Sequence, residues 1–388
     1  MAYGAGRDAL VTGTTLEGKV IALGVTGSIA AVEVVGLAHA LRRRGAEVQA
    51  VMTPAAARII HPDAVTYATG RPAITAITGG VEHVEFCGEG GKADLLLIAP
   101  CTANTLAKIA VGIDDTPVTT FATTAIGRGM PVIAAPAMHG SMYRHPAIAG
   151  HLERLAGWGI DVVEPRLEEG KAKLAATESL VLHAERALLG RPLGGKRIMV
   201  TSGPCAEPVD DVRILTTRST GRMGREMALQ AYRLGADVTI VHNGELPCVR
   251  NVPVVSATEM REAVHREFRD RGADIYVSAS AISDFSPKRV KGKIRSGAPV
   301  TLDLEPLPKL LDEVMESYHP VTIAFKLGRN EERAARALRN RGADIVVVNT
   351  PDAMGTDEAE VTIISREGRR TAKGSKEEVA AAIWTALL

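Results

Sequence analysis

Five short stretches combine residue types that could act on a substrate. VEHVEF (81–86) carries a single histidine, His83, between two valines. TGSIAA (26–31) follows an apolar run and opens a helix, an arrangement that offers backbone N–H groups to a phosphate. CTANTLAKIAVGIDD (101–115) forms a second such junction, with Thr102 placed to cap the helix and Asn104 in its first turn. STGRMG (219–224), with Ser219, Thr220 and Gly221, opens another helix but lacks the lysine of a P-loop. Finally Lys288, Arg289, Lys291, Lys293 and Arg295 cluster beside Asp284, a set able to bind phosphate. Taken alone, each has a plainer reading: a lone histidine is more often structural than catalytic, and a basic run is more often a solvated loop. Neighbouring elements must decide.

Those elements alternate regularly. Apolar, β-branched runs at 19–25, 47–53, 94–100, 131–138 and 161–165 are separated by helical stretches, and the pattern restarts at 196–203, 237–243, 274–281, 321–326 and 344–350, with 360–366 as a further strand. Continuous apolar strands are buried on both faces, so the fold class is α/β: two Rossmann-like domains, each a mainly parallel sheet flanked by helices. RRRGAEV, YRLGADV, RDRGADI and RNRGADI each end a basic helix with glycine and enter a strand, which makes them structural joints. HAERALLGRPLGGKR (183–197) is rich in glycine and proline after a helix. The expected division is therefore a domain over 1–185, a linker over 186–195 and a second domain over 196–388. Ligands in open parallel sheets gather at the carboxyl ends of strands, where Thr26, Gly27, Ser28, Thr53, Thr102, Asn104 and the loop after PVIAAPAM all fall. VEHVEF reads as a strand edge, which would place His83 on one face with Val81 and Glu85.

Composition narrows the function classes. With 388 residues, 46% hydrophobic and 23% charged, the chain suits two globular cores. Aromatic residues at 3% and a net charge of +1 argue against a nucleic-acid partner, because base-stacking platforms and a global positive field are both lacking. Four cysteines, Cys87, Cys101, Cys205 and Cys248, have no metal or disulfide spacing, and no apolar run reaches the roughly 18 residues of a membrane span. A cytoplasmic protein without a membrane partner is expected.

The order VTGSIAA, EHVEF, APCTANTLAKIAVGIDD, APAMHGSMY over about residues 19–180 resembles the flavin-dependent cysteine decarboxylases that include phosphopantothenoylcysteine decarboxylase. The resemblance implies FMN as cofactor, held by Gly27, Ser28, Thr53, Thr102, Ala103, Asn104 and Met138, with His83 as the catalytic proton-handling residue, Asn104 as a polar clamp, and His139 and Met142 against the substrate. It further implies trimeric units with FMN between subunits, built into a possible dodecamer. Two departures stand out. PAMH places His139 where the family has an asparagine that grips the substrate carboxylate, a task an imidazole N–H can still perform. The flap cysteine that protonates the enethiolate is missing from EPRLEEGKAKLAA (164–176), where Arg166 lies near its place; either Lys171, Lys173 or a cysteine from elsewhere serves as the acid, or the half-reaction stops early.

The order VTSGPxxEPxDxVRxxxxRSTGRMG, SASAISDFSP, KGKIR over about 194–388 resembles phosphopantothenate cysteine ligase, so that the two halves together resemble the bifunctional coenzyme A biosynthesis enzymes, in a divergent, archaeal-like branch. This implies CTP as co-substrate with Mg2+, Asp284 as the metal or nucleotide contact and Lys293 as a catalytic triphosphate cation. Ser278, Ala279, Ser280, Asp284, Lys293, Pro308, Lys309, Leu310, Leu311, Phe325 and Arg341 would line the nucleotide site, and Arg213, Ser219, Thr220 and Gly221 the phosphopantothenate site. Thr217 replaces an asparagine that bacterial members use in acyl-nucleotide formation, which leaves CTP against ATP open. The expected partners are then small molecules, 4′-phosphopantothenate, cysteine and CTP, and further copies of the chain. Two rival readings are a ligase with a flavin-binding but silent regulatory half, and a dinucleotide-dependent dehydrogenase; the second lacks the G-x-G-x-x-G turn it requires.

Overall fold

A computed structural model describes residues 14–297, 299–328, 332–350 and 356–388. The chain divides into two compact units, Met1–Gly190 and Arg191–Leu388. A helix, Thr177–Leu188, runs to the end of the first unit and so occupies part of the segment expected as linker.

In the first unit the apolar runs become β1 (Val20–Val25), β2 (Glu47–Met52), β3 (Leu95–Cys101), β4 (Val132–Pro136) and β5 (Asp161–Val162), all parallel in the order β2-β1-β3-β4-β5. Every residue of β3 and β4 is buried, the pattern of strands covered by helices on both faces. The chain first moves outward from β1 to β2 and then crosses to β3, so the topological switch point lies between the carboxyl ends of β1 and β3. A small antiparallel sheet of Met138–His139, Lys171–Lys173 and Arg166–Glu168 stands beyond β4.

VEHVEF departs from its expected form. Residues Glu82–Cys87 make a helix, α1, not a strand edge. Val81 turns the chain at φ 47°, Glu82 bonds back to Thr78 N at 2.9 Å, and Glu82 and Glu85 place negative charge in the first turn. Helical spacing sets His83 on the side of Phe86 and Cys87, both buried, instead of beside Val81 and Glu85. Phe86 then stacks on Phe121 with ring centroids 6.3 Å apart, a contact a surface strand would lose.

The second unit is built on β6 (Arg197–Pro204), β7 (Asp237–His242), β8 (Arg250–Pro253), β9 (Ile275–Ala281), β10 (Val321–Leu327), β11 (Ile345–Asn349), β12 (Glu358–Ser365) and β13 (Gly368–Ser375). Their order is β8-β7-β6-β9-β10-β11-β12-β13, parallel as far as β11 and antiparallel beyond. This is the doubly wound arrangement, with its switch point between β6 and β9. The four glycines of the basic joints, Gly45, Gly235, Gly272 and Gly342, close their helices with φ between +68° and +115°. Among the described residues no helix is long and apolar enough to cross a membrane.

Candidate functional site

The tips of β1 and β3 are tied to each other. Thr26, wholly buried, donates through Oγ1 to Pro100 O at 2.7 Å and accepts from Thr102 N at 3.0 Å. One hydroxyl therefore fixes the spacing between the glycine turn and the start of helix α2 (Ala103–Val111). Thr102 caps α2, its Oγ1 accepting from Thr105 N at 3.3 Å, and Asn104 stands exposed in the first turn. A Cβ at Gly27 would meet the Ala55 Cβ at 2.5 Å, so only glycine lets this turn close on the segment that follows Thr53. The Thr26→Val exchange keeps the shape but leaves Thr102 N and Pro100 O without their partner. It should cost about 1–3 kcal/mol, read as a lower denaturant midpoint.

A cleft of about 550 Å³ opens here, lined by Gly27, Ser28, Thr53, Thr102, Ala103, Asn104, Met138 and Met142, all named from the sequence. Also in its wall are Arg58, Lys108 and Thr116, which sequence reasoning passed over. Lys108 was within reach, since it lies one turn after Asn104 on the same helix face; it binds Asp115 at 2.7 Å. Polar donors and two cations share this wall with Ala55, Ala137 and the two methionines. A ring system carrying a phosphate finds matching partners in such a lining.

His83 does not line this cleft. Its Nδ1 is buried and has no hydrogen-bond partner, while its flanking residues Val81 and Val84 are 49% and 46% exposed. His139 is not among the lining residues either, though its neighbour Met138 is; it is exposed, with Nδ1 accepting from Ser141 N at 3.4 Å and 2.9 Å from Ser141 Oγ. With Nδ1 accepting, the neutral ring carries its proton on Nε2 and can donate it to an anion.

The missing flap acid has few candidates in this unit. Cys87 and Cys101 are both 0% exposed, and burial pushes each thiol up to about 12. Lys173 bonds Glu168 and Glu169 at 3.0 Å each, and the Glu169 bond first of all holds its ammonium above the usual lysine range. Lys171 is exposed on the same hairpin and faces His139 across the small sheet. Arg166 donates to Leu174 O at 2.9 Å and lies 3.6 Å from Glu168.

In the second unit the Ser219–Gly221 turn meets the strand tips at the switch point. Gly221, at φ 71°, begins helix α3 (Arg222–Arg233), and a Cβ there would meet the Gly203 Cα at 3.0 Å. Ser202 Oγ donates to Gly221 O at 3.0 Å and Ser280 Oγ to Gly203 O at 2.7 Å, so the tips of β6 and β9 and the Ser219–Gly221 turn meet. Asp284, past the Ser278–Ser280 tip, pairs with Lys309, the residue preceding helix α4 (Leu310–Tyr318). Arg341 binds Asp312 of α4 at 2.9 Å, which brings Pro308, Lys309, Leu310, Leu311 and Arg341 together. Phe325 is half-buried near the end of β10. Arg213 pairs with Asp210. Lys293 is exposed. Thr217 Oγ1 and Asn349 Oδ1 are buried without partners. Among the described residues no three acidic, histidine or cysteine side chains cluster to hold a metal.

Comparison with known proteins follows the same division. Residues 11–188 match the Flavoprotein family and residues 193–388 the DNA/pantothenate metabolism flavoprotein C-terminal domain. The coenzyme A biosynthesis bifunctional protein CoaBC of Thermococcus kodakarensis is 45% identical over 382 residues, 95% of this chain and 94% of that protein. Its counterpart from Methanocaldococcus jannaschii is 34% identical over 94% of this chain and 92% of its own length. The crystal structure of the FMN-dependent cysteine decarboxylase SpaF is 31% identical, covering 44% of this chain and 99% of that one, with a TM-score of 0.39. Two domain matches in this order, with full-length similarity to the archaeal proteins, place the chain in the family of coenzyme A biosynthesis bifunctional proteins, enzymes that combine a decarboxylase half with a ligase half.

Proposed function

We propose that the second unit condenses 4′-phosphopantothenate with cysteine, using CTP and Mg2+ through an acyl-cytidylate, and that the first unit decarboxylates the resulting 4′-phosphopantothenoylcysteine to 4′-phosphopantetheine with FMN. The observation that carries the reading is the cleft at the β1/β3 switch point, whose polar and apolar linings suit a ring bearing a phosphate. Gly27, Ser28, Thr53, Thr102 and Ala103 would hold FMN, with Arg58 and Lys108 near its phosphate and Met138 against its ring. Bound there, FMN supplies the electron sink for oxidation of the cysteinyl side chain and return of hydride.

The chain's own groups bind and move protons. Asn104 clamps the substrate, and the His139 Nε2–H donates to its carboxylate. His83 handles the proton at the reacting carbon. Because it lies outside its own chain's cleft, it serves the cleft of a neighbouring copy in a trimer-based homo-oligomer, and the exposed Val81 and Val84 beside it suit such a contact. Lys171 is the acid that fits best in place of a flap cysteine, since Lys173 is held by two glutamates. In the ligase unit Lys293 meets the triphosphate, Asp284 the magnesium or nucleotide, and Ser278, Ala279, Ser280, Lys309 and Arg341 surround it. Arg213, Ser219, Thr220 and Gly221 take phosphopantothenate.

Incubating the flavin-loaded protein with 4′-phosphopantothenate, cysteine, CTP and magnesium tests both halves together. Phosphopantetheine, carbon dioxide, CMP and pyrophosphate are the expected products. Accumulation of phosphopantothenoylcysteine would instead identify the first unit as a silent flavin-binding module.

A further inference from the structure

The basic segment 288–295 contains no helix or strand, yet it is held along its length by one short stretch of chain. Val290 N donates to Val209 O at 2.9 Å, Gly292 N to Asp211 Oδ2 at 3.0 Å and Ile294 N to Asp210 Oδ2 at 3.0 Å. Bonds return from Asp211 N to Gly292 O at 3.2 Å and from Arg213 Nη1 to Ile294 O at 3.2 Å, and Arg289 pairs with Asp211 at 3.0 Å. Bonds at every second residue pin the segment on either side of a bend at Gly292 (φ 81°), and Lys291, Lys293 and Arg295 are all exposed. None of these three has an ion-pair partner among the described residues.

Asp210 is the hub. It is 3% exposed, and its carboxylate also accepts from Val212 N at 2.8 Å and Arg213 N at 2.6 Å. These bonds, the one from Ile294 N foremost, hold its carboxyl well below the usual carboxylate range. Only an ionised carboxylate has acceptors for so many donors; an amide of equal size would present its own N–H₂ to one of them.

We infer that Asp210 and Asp211 form a latch that pins segment 288–295 and so holds Lys291 and Lys293 toward the nucleotide's phosphates, making both aspartates positioning residues for the ligase reaction. The inference rests on the reading that these lysines meet a triphosphate.

The test is a mutant cycle on the full-length protein, with pyrophosphate release from CTP in the presence of 4′-phosphopantothenate and magnesium as the readout. Asp211→Ala, at a half-exposed side chain, should leave the melting temperature nearly unchanged and raise KM for CTP about tenfold, more than it lowers kcat. Asp210→Asn should act in the same direction and more strongly. In a Lys291→Ala/Lys293→Ala background, Asp211→Ala should add less than about twofold, because its effect passes through the lysines. A full further loss in that background, or an unchanged KM for Asp211→Ala beside a strongly impaired lysine variant, overturns the latch. Should the lysine variant itself keep its CTP KM, the triphosphate reading fails and the latch falls with it.

Discussion

Replacing His83 by asparagine lowers the decarboxylation rate by about 10²–10⁴-fold, the usual loss when a positioned proton-transfer group is removed, and leaves ligation at its original rate. The substitution is chosen for what it preserves. Helix α1 depends on Glu82 and Glu85 at its start and on Phe86 against Phe121, none of which involves the imidazole. The buried Nδ1 has no partner to lose, so an amide of smaller volume leaves no newly orphaned group. Flavin content, read from absorbance, should therefore stay at the original level while phosphopantothenoylcysteine goes unconsumed. A rate close to the original would remove His83 from the chemistry.

The same exchange can locate the histidine. Co-expression of His83→Asn with Asn104→Ala yields mixed assemblies in which some sites draw a native histidine from one copy and a native asparagine from another. With sites shared between copies and random assembly, about a quarter are intact and activity returns in proportion. If each copy used its own histidine, every site would lack one residue and the mixture would stay inactive.

Much of the scaffold was legible because both sheets are mainly parallel, with buried central strands: runs such as DLLLIAP and DIVVVNT have no polar face to disguise them. The strand tips were legible for the same reason, and with them most of the cleft. VEHVEF was not. Six residues cannot distinguish a period of 2 from one of 3.6, and the deciding interactions, with Thr78 and Phe121, lie outside the stretch. GRRTAKGS also hid a strand, β13, because an exposed antiparallel strand at the sheet's edge needs no apolar face. Asp210 was beyond sequence reasoning altogether: one of its partners, Ile294, lies 84 residues away, and no local spacing signals a backbone donor.

Lys293→Ala should reduce ligation by about 10²–10³-fold, the range for losing one electrostatic stabiliser of a charged transition state, while phosphopantothenoylcysteine supplied directly is still decarboxylated at the original rate. Lys293 is exposed and has no ion-pair partner among the described residues, so its removal should shift stability by no more than about 0.5 kcal/mol, and lost activity then reports lost charge at the phosphates. Lys293→Arg should recover part of the rate, because the charge returns with a different reach. Ionic strength provides an independent check: an exposed cation acting on a polyanion is screened over about 10 Å at 0.1 M salt, so the original enzyme should lose CTP affinity as salt rises more steeply than the alanine variant does. Equal salt slopes for the two, or an unchanged rate of pyrophosphate release, would place Lys293 among the solvated surface charges that such runs usually are.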